Sequence, residues 1–377
     1  MKKALLLCLT LLAATFGFAQ QQLATLNHND SITVYYGATA LQQAYNASVD
    51  GDIITLSSGS YPAIYLNKAV TIRGAGMYFD TLVGTSPTVI TGDFTITHPS
   101  GTASNHIKLE GIQFTGNIGY FSISHPEFIK CELNTINYTG DNNSTEMTNA
   151  TFINCVIEGL EIGCAGYFWG FYSRHIRNST FINSAVLSLY YSYGENIYYQ
   201  SSILSGGYPS NDYYISSDGT YNTFNNCILR LHPKEAQYYA INNSILYYNV
   251  ADSSNSSVTY NSIGINYDST QTNYFGSSII GWQNLHNYNS FSSVFKTFTG
   301  TYTSGRTSFE LQNNVANSIL GSDSTQVGLY GGIMPFNPSV TGLNIRRWNV
   351  ANRTTPDGKL AIDIEIVNDD ATAEDNN

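Results

Sequence analysis

A short phrase of residues returns along this chain and constrains its fold more than any other feature. The phrase is an apolar residue, two intervening positions, a small residue, one intervening position and a second apolar residue. Copies begin at Phe128, Phe152, Phe181, Tyr199, Phe224, Ile241 and Phe275, with a degraded copy at Thr259. The small residues are separated by steps of 24, 29, 18, 25, 17, 18 and 16 residues. A constant phrase at variable spacing is typical of a solenoid whose coils share a corner and differ in their loops.

The phrase also predicts the conformation of each coil. The small residue and the second apolar residue lie two apart, which is strand periodicity and puts both on one face. The first apolar residue lies three positions before the small residue, so the alternation shifts by one residue between them. The position directly before the small residue is commonly Asn, as at Asn154, Asn183, Asn226, Asn243 and Asn261. Asn tolerates the left-handed conformation better than other non-glycine residues. We therefore expect strand, Asn corner, strand and loop in each coil, with coils about 4.8 Å apart in parallel sheets.

Three cysteines occupy the small position of the phrase, namely Cys131, Cys155 and Cys227. Free thiols packed in the core are one interpretation, because free Cys behaves as a small apolar residue. A disulfide between Cys131 and Cys155 is the alternative, because these two residues lie in adjacent predicted coils. No spacing of Cys and His in the chain resembles a zinc site. The sequence therefore predicts no metal centre and leaves the state of the thiols open.

The first residues of the chain predict export. Lys2 and Lys3 precede an apolar run that ends at Phe18, and small residues lie at Gly17 and Ala19, which is typical of a secretory signal peptide over residues 1–19. The run is short for a membrane span, and no second long apolar run follows it. We expect a secreted protein, extracellular, periplasmic or on the cell surface, without a transmembrane segment.

The charge balance narrows the class of partner. Without Lys2 and Lys3 the chain has 14 basic and 27 acidic residues, a net charge of −13. Nucleic acids and anionic membranes require clustered Lys and Arg, so the composition argues against both. Only 11% of residues are charged, against about 25% in typical domains, while hydrophobic residues make up 42%. An extracellular all-β surface with neutral hydrogen-bonding groups fits this composition.

A helix is predicted at the start of the repeats. Thr39 and Gln42 have the spacing of a capping box, and Leu41, Ala44 and Tyr45 follow helical periodicity. A short amphipathic helix at this position would close the open end of a solenoid, whose first coil otherwise exposes its interior and an unpaired strand edge.

A turn and two alternating segments are predicted near the end of the chain. Pro356-Asp-Gly358 is a turn signal between them, so a hairpin-like cap is expected. The predicted regions are a signal peptide at 1–19, a lead-in at 20–36, a parallel β-helix at 37–340, the C-terminal cap at 341–367 and an acidic disordered tail at 368–377.

Several segments carry a family resemblance. Leu41-Gln-Gln-Ala44, Asp50-Gly-Asp-Ile-Ile-Thr-Leu-Ser-Ser-Gly-Ser-Tyr61, Val70-Thr-Ile-Arg-Gly-Ala-Gly76 and Ile107-Lys-Leu-Glu-Gly-Ile-Gln-Phe-Thr-Gly-Asn117 resemble the entry and interior coils of the pectate-lyase-like superfamily. Val327-Gly-Leu-Tyr-Gly-Gly332, followed by Pro335, resembles the closing segment of secreted β-helix proteins from Bacteroidetes. The resemblance implies an all-β fold, a right-handed parallel β-helix. Together with the helix and the strands predicted above, the expected fold is a β-helix with an N-terminal helix cap and a short C-terminal β-strand appendage.

The resemblance leaves the activity open, because this fold carries lyases, hydrolases, esterases and non-catalytic surface proteins. Lyases of the superfamily use Arg or Lys as a base with carboxylate-bound calcium, and its hydrolases use clustered Asp. The signatures Asn-Thr-Asp, Gly-His-Gly and Arg-Ile-Lys do not occur in the chain. We therefore transfer no catalytic residue, and we expect calcium only if the protein is a lyase.

An insertion at residues 166–177 holds the first candidate site. It combines three aromatic residues as candidate substrate contacts with three basic residues as candidate catalytic groups: Tyr167, Trp169 and Tyr172, and Arg174, His175 and Arg177. Aromatic faces stack on sugar rings, and Arg binds carboxylates at two points. The alternative is a loop that folds its aromatic side chains onto the flank of the solenoid.

A second basic cluster contains Arg230, His232 and Lys234. Arg230 is the third residue after Cys227, and Glu158 is the third after Cys155, so the predicted register puts them on one face. A lyase could use Arg, Lys or His beside Glu. Scattered surface charge is the alternative interpretation.

The function predicted from these observations is that of a secreted β-helix protein that contacts a polysaccharide or a cell-surface glycan without catalysis. A polysaccharide lyase or glycoside hydrolase acting on acidic polysaccharide is one alternative, and a structural or adhesive surface protein is another. A cleft on one sheet with Arg or Lys beside two carboxylates would favour an enzyme. The sequence leaves the oligomeric state open.

Overall fold

A computed structural model gives the fold of the chain. It describes residues 22–79, 85–139, 146–161, 176–186, 189–190, 194–195, 198–200, 203–204, 222–229, 239–247, 258–265, 282–283, 286–299, 308–332, 335–336, 343–350 and 362–368. Within these ranges the elements are β-strands apart from two helices, α1 (Ala40–Ala47) and α2 (Asn313–Ser318), and a 3-10 turn at Phe291–Ser293. The all-β class is therefore confirmed. The predicted signal peptide and all of the predicted acidic tail except Asn368 lie outside the described residues.

The strands fall into three sheets. Sheet A consists of β1 (Leu23–His28), β2 (Ser31–Tyr36), β3 (Ile53–Leu56), β6 (Thr71–Arg73), β9 (Lys108–Glu110), β12 (Glu127–Ile129), β15 (Thr151–Ile153), β18 (Thr180–Ile182), β22 (Tyr198–Gln200), β24 (Asn222–Asn225), β26 (Tyr239–Asn242), β28 (Val258–Tyr260) and β30 (Trp282–Gln283). Sheet B consists of β4 (Gly59–Pro62), β5 (Tyr65–Leu66), β7 (Thr88–Thr91), β8 (Phe94–His98), β10 (Gln113–Phe114), β11 (Ile118–Ser124), β13 (Glu132–Tyr138), β14 (Met147–Thr148), β16 (Val156–Glu161), β17 (Ile176–Arg177), β19 (Ala185–Val186), β20 (Leu189–Tyr190), β21 (Gly194–Glu195), β23 (Ile203–Leu204), β25 (Ile228–Leu229), β27 (Ile245–Tyr247), β29 (Ile263–Ile265) and β31 (His286–Tyr288). The third sheet is the antiparallel pair β32 (Leu343–Val350) and β33 (Ile362–Asn368), formed by the alternating segments on either side of the predicted turn.

The chain passes back and forth between sheets A and B. From β3 onward each strand of sheet A pairs in parallel with the next strand of that sheet, and one or more strands of sheet B lie between them in sequence. The described pairings of sheet B are parallel as well. Side chains from both sheets meet in one apolar core, in which Ile54, Phe128, Leu133 and Ile157 are buried.

The predicted ladder of first apolar residues is confirmed in register. Phe128 pairs with Phe152, and the ladder continues through Phe181, Tyr199, Phe224, Ile241 and Thr259. The Phe152 ring stacks on those of Phe128 and Phe181, with centroid distances of 4.8 and 4.5 Å. One predicted rung is wrong, because the partner of Thr259 is Trp282, whereas Phe275 lies outside the described residues. The phrase is lost at this rung because Leu285 and Asn287 replace its small and apolar positions.

The left-handed Asn corner is also confirmed. Asn154, Asn183, Asn226, Asn243 and Asn261 have φ angles of 53°, 47°, 52°, 53° and 46°. The same corner is formed earlier in the chain by Lys130 and Gly111, with φ angles of 50° and 65°. A second left-handed corner, which the phrase does not predict, precedes three strands of sheet A at His125, Asn149 and Asn178, with φ angles of 57°, 54° and 52°.

The Cys and Ser ladder satisfies backbone groups at the Asn corner. The backbone N–H of Cys155 donates to the Ser184 hydroxyl at 3.1 Å, and that of Cys227 donates to Ser244 at 3.0 Å. Cys131, Cys155 and Cys227 are free and fully buried, so the interpretation as core thiols is confirmed and the Cys131–Cys155 disulfide is not formed. Burial raises the pKa of the Cys131 thiol well above its usual value.

The N-terminal end of sheet A is closed by a helix and a hairpin. Helix α1 buries Leu41, Ala44 and Tyr45, as predicted, and packs against β1, β2 and β3. The predicted capping box is wrong, because the Thr39 side chain makes no capping hydrogen bond to the backbone and its hydroxyl accepts from the Gln43 side-chain amide. The described part of the lead-in forms the hairpin β1–β2, which pairs antiparallel with β3 and therefore covers the strand edge that the helix was expected to protect.

A second apolar core lies on the other face of sheet B. One residue before the inward Ile157, the side chain of Val156 points to the opposite face. The register of sheet B aligns Val156 with Ala185, Ile203, Ile228, Ile245 and Ile263. The C-terminal strap (residues 291–299, 308–332 and 335–336) covers this column with a set of buried apolar side chains: Val294, Phe295, Phe298, Phe309, Leu311, Val315, Ile319, Val327, Leu329 and Phe336.

Asn corners fasten the strap. The Asn183 side-chain amide donates to the carbonyls of Leu329 and Gly331 at 2.9 and 3.2 Å. The Asn243 carboxamide accepts from the backbone N–H of Ser322 at 2.9 Å. The strap fits closely, since a Cβ on Gly331 would collide with the Gln326 carbonyl oxygen. The corner residues therefore have two roles, a left-handed backbone and a contact with the strap.

Candidate functional site

Of the site residues that the sequence singled out, the structure describes two, Glu158 and Arg177. Glu158 is an exposed residue of β16, and Arg177 is a residue of β17 paired with Thr148 and Glu195. The other candidates lie outside the described residues: Tyr167, Trp169, Tyr172, Arg174, His175, Arg230, His232 and Lys234. Their proposed roles, and the common face of Glu158 and Arg230, stay predictions.

A different cluster of charged residues lies on the exposed face of sheet A. This charged patch consists of Arg73, His106, Lys108, Glu110 and Glu127. Strands β6, β9 and β12 are neighbours, and their register places Arg73 beside Glu110 and Lys108 beside Glu127. Strand alternation keeps Lys108 and Glu110 on one face, because the intervening Leu109 is buried in the core.

Every charged side chain of the patch has an opposite charge within ion-pair distance. The Arg73 Nε lies 3.1 Å from the Glu110 Oε2. The Lys108 Nζ lies 3.4 Å from the Glu127 Oε2, and the His106 Nε2 approaches the same oxygen to 3.3 Å. Two columns of paired charge therefore run side by side along the sheet.

Exposure differs between the two columns. The Arg73 side chain is 47% exposed and that of Glu110 only 11%, so the guanidinium shields its carboxylate from water. The Lys108 and Glu127 side chains are exposed to similar extents, 26% and 23%. The patch therefore presents cations and one carboxylate to solvent, and it holds the second carboxylate beneath them.

The turn before β9 orients the histidine. Thr102 and Asn105 form an isolated bridge that closes this turn. The His106 Nδ1 lies 3.1 Å from the Thr102 carbonyl oxygen, while Nε2 faces Glu127. The imidazole is held between two acceptors and has a fixed direction over the patch.

In the next two described strands beyond the patch, the columns that contain Glu110 and Glu127 continue with uncharged residues. Glu110 pairs in register with Ile129, and the same column continues through Ile153 and Ile182. Glu127 pairs with Thr151, and that column continues to Thr180. All five of these Ile and Thr side chains are half-buried. We call this surface the Ile/Thr strip.

The patch was missed by sequence reasoning, although a signal for it exists. Lys108-Leu-Glu110 alternates charged, apolar and charged, which in a strand puts both charges on the face opposite the buried Leu109. Arg73 has the same relation to Ile72. The register between β6, β9 and β12 cannot be read from the sequence, and it is this register that brings the charged side chains of the three strands together.

In the described part of the chain, no group of three or more His, Cys, Asp or Glu side chains could hold a metal ion. None of the described helices has the length and apolar character needed to cross a bilayer.

The chain matches no protein-family model, no curated protein and no solved structure. What the protein does must therefore be inferred from its own residues.

Proposed function

We propose that the chain is a secreted right-handed parallel β-helix related to the pectate-lyase-like superfamily. Three observations support this fold: strands that alternate between two parallel sheets, side-chain ladders in register and left-handed corners at a constant position. Crossover connections between parallel strands are right-handed in nearly all proteins, which supports the hand.

The function that the geometry supports best is binding of a glycan on the exposed face of sheet A. The observation that carries it is the charged patch, a concentration of charge in a chain of which only 11% is charged. Arg and Lys donate hydrogen bonds to sugar hydroxyls, and Glu accepts from them. The β-sheet backbone holds these groups at fixed spacing, so that they are preorganised for a ligand.

A polysaccharide lyase is the second candidate. Lys108 and Arg73 stand beside the carboxylates Glu110 and Glu127, and a Lys or Arg in such a setting could remove a proton α to a uronate carboxylate. The patch does not fit a calcium ion, because each carboxylate is already paired with a cation and the described residues offer no third acidic ligand there. We derive no step through a metal.

One experiment tests binding and catalysis together. The purified protein is titrated with a panel of neutral and acidic polysaccharides, and each mixture is also followed for ultraviolet-absorbing unsaturated products, with and without calcium. We expect saturable binding that is weakened about tenfold by Arg73→Ala combined with Lys108→Ala, and no new absorbance. Lys296→Ala, which removes an exposed ion pair on the strap, is the control. Product formation would favour the lyase. Equal binding by all variants would exclude the charged patch as the binding site.

A further inference from the structure

We infer that the glycan bound on this face is uncharged. This inference rests on the proposed function and adds the class of ligand to it. It departs from the acidic polysaccharides on which an enzyme of this fold would be expected to act.

Each Arg and Lys of the patch is already paired with a carboxylate. Two such cations and two carboxylates are matched in their columns, so their formal charges cancel. The whole chain carries a formal net charge of −11. Since a protein with this charge repels polyanions over the range of the Debye length, the patch gives them no compensating attraction.

An acidic sugar that took a cation away from its carboxylate would have to break an existing pair. If a uronate took Arg73, the Glu110 carboxylate, whose side chain is 11% exposed, would lose its partner. Leaving a nearly buried carboxylate unpaired is costly. Sugar hydroxyls need no such exchange, because they donate to remaining lone pairs of Glu and accept from Lys or Arg while the ion pairs stay intact.

The Ile/Thr strip also favours neutral over acidic glycans, and it does so over a longer surface. A glycan that extends from the patch along the sheet meets Ile129, Ile153 and Ile182 in one column and the hydroxyls of Thr151 and Thr180 in the other. A carboxylate placed over this strip would be partly desolvated with no counter-charge. The C–H faces of neutral sugars can lie on Ile while their hydroxyls bind Thr, so charge complementarity favours an uncharged chain.

The test uses two ligands that differ only at C6, which is a neutral hydroxymethyl group in one and a carboxylate in the other. A β-glucan oligosaccharide and the same oligosaccharide oxidised to carboxylate at C6 are titrated into the protein at pH 7.5, in low and in moderate salt. We expect the neutral ligand to bind about tenfold or more tightly than the oxidised one, with less than about twofold dependence on salt. Ile153→Lys should narrow or reverse the preference, while Lys296→Gln should leave it unchanged.

The outcomes separate the two proposals. Equal affinities, or tighter and salt-sensitive binding of the oxidised ligand, would overturn the neutral class and leave glycan binding standing. If neither this pair nor any member of the wider polysaccharide panel binds, the proposed function itself fails. Thermal unfolding of Ile153→Lys shows whether the variant is folded. Thr151→Val removes one hydroxyl without adding charge, and it should weaken the binding of both ligands equally.

Discussion

The exposed face of sheet A and the strap-covered face of sheet B are built from similar repeated strands, but the first is open to solvent and the second is buried. On sheet A the column that contains Arg73 and Glu110 continues through half-buried Ile residues and stays open to solvent. On sheet B the column from Val156 to Ile263 is fully apolar and is covered by the C-terminal strap. The difference teaches that a repeat fixes the strand and its register, while the composition of each outward column decides whether that face becomes core or surface.

Within sheet B the same column changes character along its length. The two rungs before Val156 are Gln113 and Glu132, which are joined by a side-chain hydrogen bond of 2.7 Å. The next rung, Val156, is apolar and belongs to the second core. The apolar surface that the strap covers therefore begins at a defined rung, between Glu132 and Val156.

The largest expected effect comes from one substitution made on both faces. Ile245→Asp places a carboxylate in the second core, where Ile245 is fully buried, and should lower the free energy of unfolding by about 4 kcal/mol. Ile153→Asp is the matched change on sheet A, where partial exposure lets water reach the carboxylate, and should cost about 1 kcal/mol. Urea unfolding measures both, and equal losses would contradict the division into a covered and an open face.

A smaller effect should separate the two roles of the corner asparagines. Asn183→Ala removes two hydrogen bonds to the strap and a residue suited to positive φ, and should cost about 3 kcal/mol. Asn149→Ala changes a corner of similar φ that has no hydrogen bond to the described strap residues, and should cost about 1 kcal/mol. Thermal unfolding compares them, and a difference of zero would mean that the strap bonds contribute no stability.

The smallest effect on stability is expected in the charged patch. Arg73→Gln should change the free energy of unfolding by less than about 1 kcal/mol, because the guanidinium is half exposed and exposed ion pairs contribute little. Calorimetric unfolding of the variant and of the wild type measures the change. A loss as large as that of Asn183→Ala would indicate that the patch holds the sheet together, and would weaken its assignment to ligand binding.

The sequence predicted the features that depend on local chemistry. The Phe ladder and the Asn corners follow from residue type and spacing, and they are in the structure at the predicted positions. Lys130 adopts the corner conformation without being Asn, so this position was predicted by its place in the phrase and not by its side chain. The second corner escaped notice because His125, Asn149 and Asn178 precede the phrase and share no single residue type.

The features that depend on distant segments could not be predicted. Val156 and Ile228 look like outward residues of exposed strands, and only the strap, more than 60 residues beyond Ile228 in sequence, explains why they are apolar. The charged patch likewise depends on strands that are separated by 37 residues at Arg73 and Glu110. In both cases local spacing identified the strands. Whether their outward residues form a core or a charged patch depends on a distant segment, the strap in the first case and the neighbouring strand in the second.

The strap also sets an order of events for the newly made chain. The side-chain amide of Asn183 donates hydrogen bonds to carbonyl groups that lie 146 and 148 residues later in the sequence. During synthesis the apolar column of sheet B is complete before the first strap residue is added, and contacts of such long sequence separation form slowly. Protein made without residues 291–336 should therefore keep its strands but self-associate through that column, and the last part of the chain acts as its built-in protection against aggregation.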